Sequence, residues 1–365
     1  MGRLSETDSF PWLAVEGVTR GRSHIREGTE CQDRTFVLRS NGTLALALAD
    51  GAGSAPQSGK GAGIVVKSIC DFLCAHFAEL YEDPKTGRLW ILRYLRERLK
   101  ETAFSLGCVP EDLASTLLAV CISGNRFLAL HLGDGVIGYT RDGVLSVLTE
   151  PQNGEFVNTT YFVTSKQAEK KLRILQAEDS AIDGFALMSD GTAAGLYDRR
   201  ERRLVPVTER LIRRLSVTSE AFLRPVVQRS LDDVLSMRTQ DDCSLILAAR
   251  HSRAYPDLTE EEQNAFFGIE VPSMELAAKA RQRYVNLLDA LESPQSERAL
   301  AKTVGLSPAF FHRRCLMPMV ALGYVVWESP NHYRRTIEPL FSENLGNEPK
   351  AQNHAPADSA PLQKS

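Results

Sequence analysis

Several classes of protein are excluded by what this sequence lacks. No run of about 18 apolar residues occurs, so no membrane span is expected. The opening MGRLSETDSFPW has no apolar core of the signal-peptide kind. There are seven cysteines, an odd number, and none sits in a C-x-x-C pair. No His and Cys spacing fits a zinc site, so neither a disulfide framework nor structural zinc is expected. Cys70 and Cys74, four apart on a predicted helix, read as core. The expectation is a reduced, cytoplasmic chain. The net charge is only -3, which gives the whole molecule no strong pull toward nucleic acid or anionic lipid. No internal repeat is found.

What remains is a chain of 365 residues, 43% apolar and 24% charged, long enough to bury a full core. Its length suggests two domains, or one with an appendage. Strands are predicted at 12–22 and 34–50, with an Asn41-Gly42 hairpin turn inside the second stretch. Helical spacing covers 59–81 and 87–106. Short apolar runs separated by Gly, Asn and Asp fill 115–149 and predict an antiparallel meander. More strand character falls at 156–163 and 184–189. Helices follow at 205–216 and 218–236, and a last strand ends at Arg250. The expected fold is α+β: an antiparallel β-sandwich flanked by pairs of helices, over residues 1–250.

The stretch LALALADGAGSAPQSGKGAG, Leu44 to Gly63, raises three ligand possibilities. A phosphate-cradling loop needs G-x-x-x-x-G-K-[ST], but five residues separate Gly53 from Gly59, and Gly61 follows Lys60. A dinucleotide fingerprint needs G-x-G-x-x-G, but Pro56 holds the third glycine position after Gly51 and Gly53. A metal ion is left, with Asp50 at the end of a strand and Gly51 letting the backbone approach.

Similar carboxylates recur. Asp33 stands just before a strand, Asp50 ends one, Asp134 sits in a turn between two, Asp190 ends another, and Asp241 with Asp242 opens the last. Oxygen ligands of this kind suit Mg²⁺ or Mn²⁺. Two such ions roughly 4 Å apart can activate water for attack on phosphorus.

Together and in order, GRSHIREGTECQD, LADGAGSAPQSGKGA, STLLAV, HLGDG, LMSDG and TQDDCSLI resemble the motifs of the metal-dependent protein serine/threonine phosphatases of type 2C, in their bacterial form. The resemblance spans about 12–250. It implies that Asp50 bridges two metal ions with the Gly51 carbonyl as a further ligand. It also implies that Asp190 and Asp241 hold the second ion and that Asp33 lies beside the ions or binds through water. Asp134 would belong to a third, weaker site. The nucleophile would be a metal-bridging hydroxide, with no covalent phosphoenzyme.

Three departures from the family pattern stand out. The arginine that clamps substrate phosphate is replaced by Gly28, leaving Arg20, Arg22 or Arg26 as substitutes. The histidine of the Asp-Gly-His motif is replaced by Ala52, and His24 is the nearest alternative. Asp-Asp stands where Asp-Asn is usual, so Asp242 can replace or assist Asp241.

After a linker at 251–275, residues 276–342 change texture. Nine Lys or Arg face five Asp or Glu over 279–340. Helices are predicted at 276–292, 296–304 and 308–322, with Ser307 as cap and Pro308 in the first turn. A hairpin follows, and the order resembles a winged helix. Arg313, Arg314, Arg334 and Arg335 are its candidate contacts to DNA or to protein. The tail, 343–365, is expected to be disordered. The expected function is hydrolysis of phosphoserine and phosphothreonine in proteins, opposing a serine/threonine kinase. The alternative is a phosphatase-like sensor or DNA-binding regulator with weak or no catalysis.

Overall fold

The computed structural model describes residues 12–152, 160–217, 220–251, 273–291, 295–317, 325–329 and 332–335, with Glu260, Asn264, Ile269 and Met319. Strand β1 is Trp12–Thr19, followed by a short helix α1, Arg22–Glu27. Strands β2 (Arg34–Ser40) and β3 (Thr43–Ala49) form a hairpin. Asn41 and Gly42 at its turn both have left-handed φ, 52° and 71°, as a type I′ turn requires. Helices α2 (Ser58–Ala75), α3 (Phe77–Glu82) and α4 (Pro84–Leu106) follow. Then come β4 (Leu117–Ser123), β5 (Arg126–Leu132), β6 (Val136–Arg141) and β7 (Val144–Thr149). The chain continues through α5 (Ala168–Lys171), β8 (Arg173–Glu178), β9 (Ile182–Met188) and α6 (Asp190–Leu196). After a two-residue ladder, β10 (Tyr197–Asp198) with β11 (Arg203–Leu204), come α7 (Pro206–Val217), α8 (Glu220–Ser230) and β12 (Cys243–Arg250).

Two five-stranded antiparallel sheets result, ordered β1-β12-β9-β6-β7 and β2-β3-β4-β5-β8. Alternation along β3 shows why they stack. Leu44, Leu46 and Leu48 meet Phe185, Leu187 and Ile246 of the other sheet, while Ala45, Ala47 and Ala49 face α2. The small alanines let Val65, Val66, Ile69 and Leu73 close in on the strand. On the far side, α7 and α8 pack Leu211, Leu215, Leu223 and Val227 against Leu245 and Leu247. The layering is helix, sheet, sheet, helix, the α+β sandwich expected.

Five expectations need correction. The stretch 115–149 is not one meander: β4-β5 and β6-β7 are hairpins of different sheets, and the chain crosses between them at Gly133 to Gly135. Residues 160–163 carry no strand, while 156–159 lie outside the described residues. Helix 59–81 breaks at His76, and the strand from 12 ends at Thr19. Asp190 starts a helix rather than ending a strand. The edge strand β8 escaped notice, because RILQAE is half exposed and only weakly alternating.

Further along, Met274–Ala290, Glu297–Thr303 and Pro308–Phe311 are helices, the last running into a wider helical turn, His312–Leu316. Gln295–Ser296, His332–Arg335 and Val325–Ser329 make a three-stranded sheet in that order. Tyr284, Leu287, Leu300, Phe311 and Leu316 form a core of their own. The tail and most of the linker lie outside the described residues. Among the described residues no helix is long and apolar enough to cross a membrane.

Candidate active site

Antiparallel pairing brings distant carboxylates to one end of the sandwich. The start of β2 lies beside the end of β3, and the start of β4 is next. In the other sheet the start of β12 lies between the ends of β1 and β9, with the start of β6 beyond. Asp33, Asp50, Asp134, Asp190, Asp241 and Asp242 all stand at this end. A cleft of about 170 Å³ is lined there by Asp50, Asp134, Asp190, Asp241 and Asp242, with His24 and Ala52. Asp33 lies buried behind it. Gly51 bridges to Ser115 and has no room for a side chain: a Cβ would come within 2.9 Å of Ser58 at the start of α2.

These carboxylates repel one another in a desolvated place. Burial pushes Asp33 up to about 7, with Asp242 and Asp190 adding to it and the Ser244 hydroxyl opposing it. Burial also raises Asp50 well above the usual range, helped by the charges of Asp33, Asp190 and Asp134. Asp190 rises to about 6 through burial and the Asp134 and Asp241 charges. Asp241 is raised by burial, against the pull of His24. Asp33 Oδ2 accepts from Ser244 Oγ at 2.7 Å, whereas among the described residues its buried Oδ1 meets no hydrogen-bond donor in good geometry. A buried oxygen so placed and clustered acids of raised pKa are what hard divalent cations would relieve, so the donor set fits Mg²⁺ or Mn²⁺. Among the described residues no three His, Cys, Asp or Glu side chains close on a single point; the carboxylates ring the cleft instead.

Asp242 behaves differently. Burial raises its pKa, but hydrogen bonds from the Gly21 and Gln32 backbone and from His24 win, and the net shift is downward. Gly21 N and Gln32 N each donate at 2.6 Å, to Oδ1 and Oδ2 respectively. His24 Nδ1 lies 2.9 Å from the same Oδ1. Both oxygens are engaged in holding the segment around α1, while Asp242 also lines the cleft.

The arginines do not converge on the cleft. Arg22 Nε donates to the Thr239 carbonyl at 3.0 Å. Arg26, mostly exposed, pairs with Glu27 at 3.5 Å. Arg20 donates to the Thr29 carbonyl at 3.4 Å. Arg22 and Arg26 are therefore not placed as phosphate clamps. His24 is the basic side chain that lines the cleft.

A model of the family named protein phosphatase 2C matches residues 20–236. The chain belongs to that family. This phosphatase is 26% identical over 251 residues to serine/threonine-protein phosphatase 3 of Escherichia coli (strain K12), a match covering 65% of its chain and 98% of the relative. Among solved structures it is similar to the serine/threonine phosphatase Stp1 from Staphylococcus aureus, with 14% identity and a TM-score of 0.48, covering 69% of its chain and all of the other. A serine/threonine phosphatase from S. agalactiae is similar at 16% identity and a TM-score of 0.46, covering 65% of this chain and 99% of that one.

Several groups that shape the phosphatase's cleft were not singled out from sequence. Thr116 fixes Asp50 from both sides: its hydroxyl accepts from Asp50 N at 2.9 Å, and its own N–H donates to the Asp50 carbonyl at 2.9 Å. Thr160 donates to Asp134. Ser244 orients Asp33. Thr116 and Ser244 lie inside quoted motifs, STLLAV and TQDDCSLI, so their position was visible though their role was not. Thr160 and Phe162 fall in the stretch 156–163 read as strand, which gave no sign that they reach the cleft.

Proposed function

We propose that this phosphatase removes phosphate from phosphoserine and phosphothreonine in proteins by a metal-dependent hydrolysis. The supporting observation is the ring of carboxylates at one end of the sandwich, with the pKa values of Asp33, Asp50 and Asp190 raised by burial and by one another's charge. Mg²⁺ or Mn²⁺ ions, two or three in number, would supply positive charge for the phosphoryl oxygens and a water acidified enough to attack. Asp50 with the Gly51 carbonyl, Asp190 and Asp241 would hold them, and Asp134 would serve a further site. Thr116 keeps Asp50 in place. Ser244 holds one oxygen of Asp33 and leaves the other toward the cluster. His24, oriented by Asp242, presents its remaining nitrogen Nε2 where Ala52 offers nothing, and contacts the phosphoryl or leaving oxygen.

The test is phosphate release from a phosphothreonine peptide with Mn²⁺. EDTA and Asp50→Ala should each abolish it, and activity that survives both would sink the reading. A substrate implies a protein kinase that phosphorylates it, and the compartment consistent with this chemistry is the cytoplasm.

A second reading concerns residues 276–342. Three helices, a hairpin and a sheet of order first, third, second strand support a winged helix. Arg313 and Arg314 are exposed on its last helix. The unit would target the enzyme to DNA or to a protein, or make the chain a regulator whose phosphatase part senses. A gel shift on random duplex DNA that weakens steeply with salt would favour DNA.

A further inference from the structure

One wall of the cleft has a different chemistry from the rest. Along residues 160–163 alternate side chains face opposite ways. Tyr161 and Val163 are buried in the core beneath α4. Thr160 and Phe162 face the cleft. Phe162, half-buried, packs on Ala52, Ala55 and Ala114 and makes an apolar patch beside the carboxylates.

The patch is held in place from both ends. Thr160 is tied to Asp134, and Val163 N donates to the Ser115 carbonyl at 2.9 Å. Phe162 N donates to Ser165 Oγ at 3.0 Å. Arg96, from α4, spreads its guanidinium under the segment. Its Nε donates to the Val163 carbonyl at 3.1 Å, its Nη2 to the Ser165 carbonyl at 2.8 Å, and its Nη1 to Glu169 at 3.3 Å. A lysine could not make this fork.

We propose that Phe162, backed by Ala52, Ala55 and Ala114 and positioned by Arg96, forms a subsite for an apolar side chain next to the phosphorylated residue of the substrate. The inference rests on the phosphatase reading, because it takes the carboxylate end of the cleft as the place of the phosphoryl group. A neighbouring side chain must then lie along a wall of the same cleft. On the Phe162 wall it meets an aromatic ring and the Ala52 methyl group, which reward apolar contact and strand an acidic group without a partner. Arg96 touches no substrate in this arrangement and acts as a positioning residue.

The test uses full-length protein and three phosphothreonine peptides, flanked on both sides by Leu, Gly or Asp. The wild type should favour the Leu peptide over the Gly peptide by about tenfold or more in kcat/KM, carried by KM. Asp should rank below Gly. Phe162→Leu should keep most of the preference, Phe162→Ala should bring the ratio near one, and Arg96→Gln should lower it by raising KM for the Leu peptide. Fluorescence polarisation on Asp50→Asn measures the same ranking without turnover. Ranked binding without any turnover would remove the hydrolytic reading and leave the subsite standing. Turnover with no ranking in the wild type, or a ranking unchanged in Phe162→Ala, would overturn the subsite. Full preference in Arg96→Gln would remove Arg96 from it.

Discussion

His24 Nδ1 and Asp242 Oδ1 lie 2.9 Å apart, although 218 residues separate them in the chain. The contact joins the short helix after β1 to the entry of β12 and brings an imidazole to the cleft rim. The same carboxylate receives the backbone of Gly21 and Gln32. Orientation of the imidazole and attachment of the segment therefore depend on one residue.

Asp242→Asn should expose that dependence. An amide keeps one acceptor oxygen, so one of the two backbone N–H groups loses its partner. The expected loss is about 1–3 kcal/mol in urea unfolding. His24→Ala should leave unfolding nearly unchanged and lower kcat on a phosphopeptide. Because the two act as a unit, the double variant should be little slower than the worse single one. Additive rate losses would separate His24 from Asp242.

The carboxylate ring makes a second expectation, about the metal-free protein. A folded-state carboxylate pKa raised above its unfolded value is a cost that is full above the folded pKa and fades as pH falls toward the unfolded one. Asp33 is raised to about 7 and Asp190 to about 6. The cost is on the order of a few kcal/mol, so EDTA-treated protein should gain stability from about pH 8 down to about pH 5. Asp50→Asn should raise its Tm at neutral pH by a few degrees, about what 1 kcal/mol produces. Mn²⁺ should raise the Tm of the wild type and barely move that of the variant. A calorimetric scan in EDTA and in Mn²⁺ checks all three.

His131 gives the opposite pH trend. It is fully buried in β5, with Nε2 2.9 Å from the Gly133 carbonyl and Nδ1 2.6 Å from Thr149 Oγ1. A carbonyl only accepts, so Nε2 carries the proton and Nδ1 accepts from the Thr149 hydroxyl. Burial lowers the pKa to about 4, and nearby Arg173 adds to this against the Gly133 carbonyl. The unfolded chain titrates near about 6.5 and binds the extra proton first. Stability is full above that value and falls as pH drops toward the folded pKa, by about 3 kcal/mol in all. In EDTA the carboxylate gain opposes this loss, so it is read as the difference in pH slope between the wild type and a His131 variant. His131→Gln should flatten it, and a slope unchanged in that variant would assign the loss elsewhere.

Much of this was legible in sequence because it rests on local signals. Asn41-Gly42 announced its turn, the apolar run Leu44 to Ala49 announced a strand, and Asp-Gly after apolar runs announced the carboxylates. What was hidden depends on tertiary pairing. Nothing in 115–149 says that β5 and β6 belong to different sheets, since both hairpins have the same local pattern. Arg22 looked like a phosphate clamp by residue type alone, but the Thr239 carbonyl claims it. Asp241 and Asp242 are equivalent as letters; the backbone N–H groups of Gly21 and Gln32 distinguish them. Thr160 and Phe162 reach the cleft because Tyr161 and Val163 are drawn into the core.

Two glycines show how closely the last motif is packed, and they supply a final expectation. A Cβ on Gly191 would lie 2.1 Å from the Asp242 carbonyl oxygen, and one on Gly21 would lie 2.3 Å from the Asp241 carbonyl carbon. Both are backbone atoms and cannot swing away. Gly191→Ala must push Asp241 and Asp242 off the cleft or shift the start of α6, which carries Asp190. The expected cost is about 1–3 kcal/mol, together with weaker Mn²⁺ binding in a calorimetric titration. Gly63→Ala is the control. Gly63 lies within α2, its added Cβ would come no closer than 3.9 Å to Arg34, and the change should stabilise the helix by up to about 1 kcal/mol. If Gly191→Ala bound Mn²⁺ like the wild type, the carboxylates at the start of β12 would owe their position to something other than this contact.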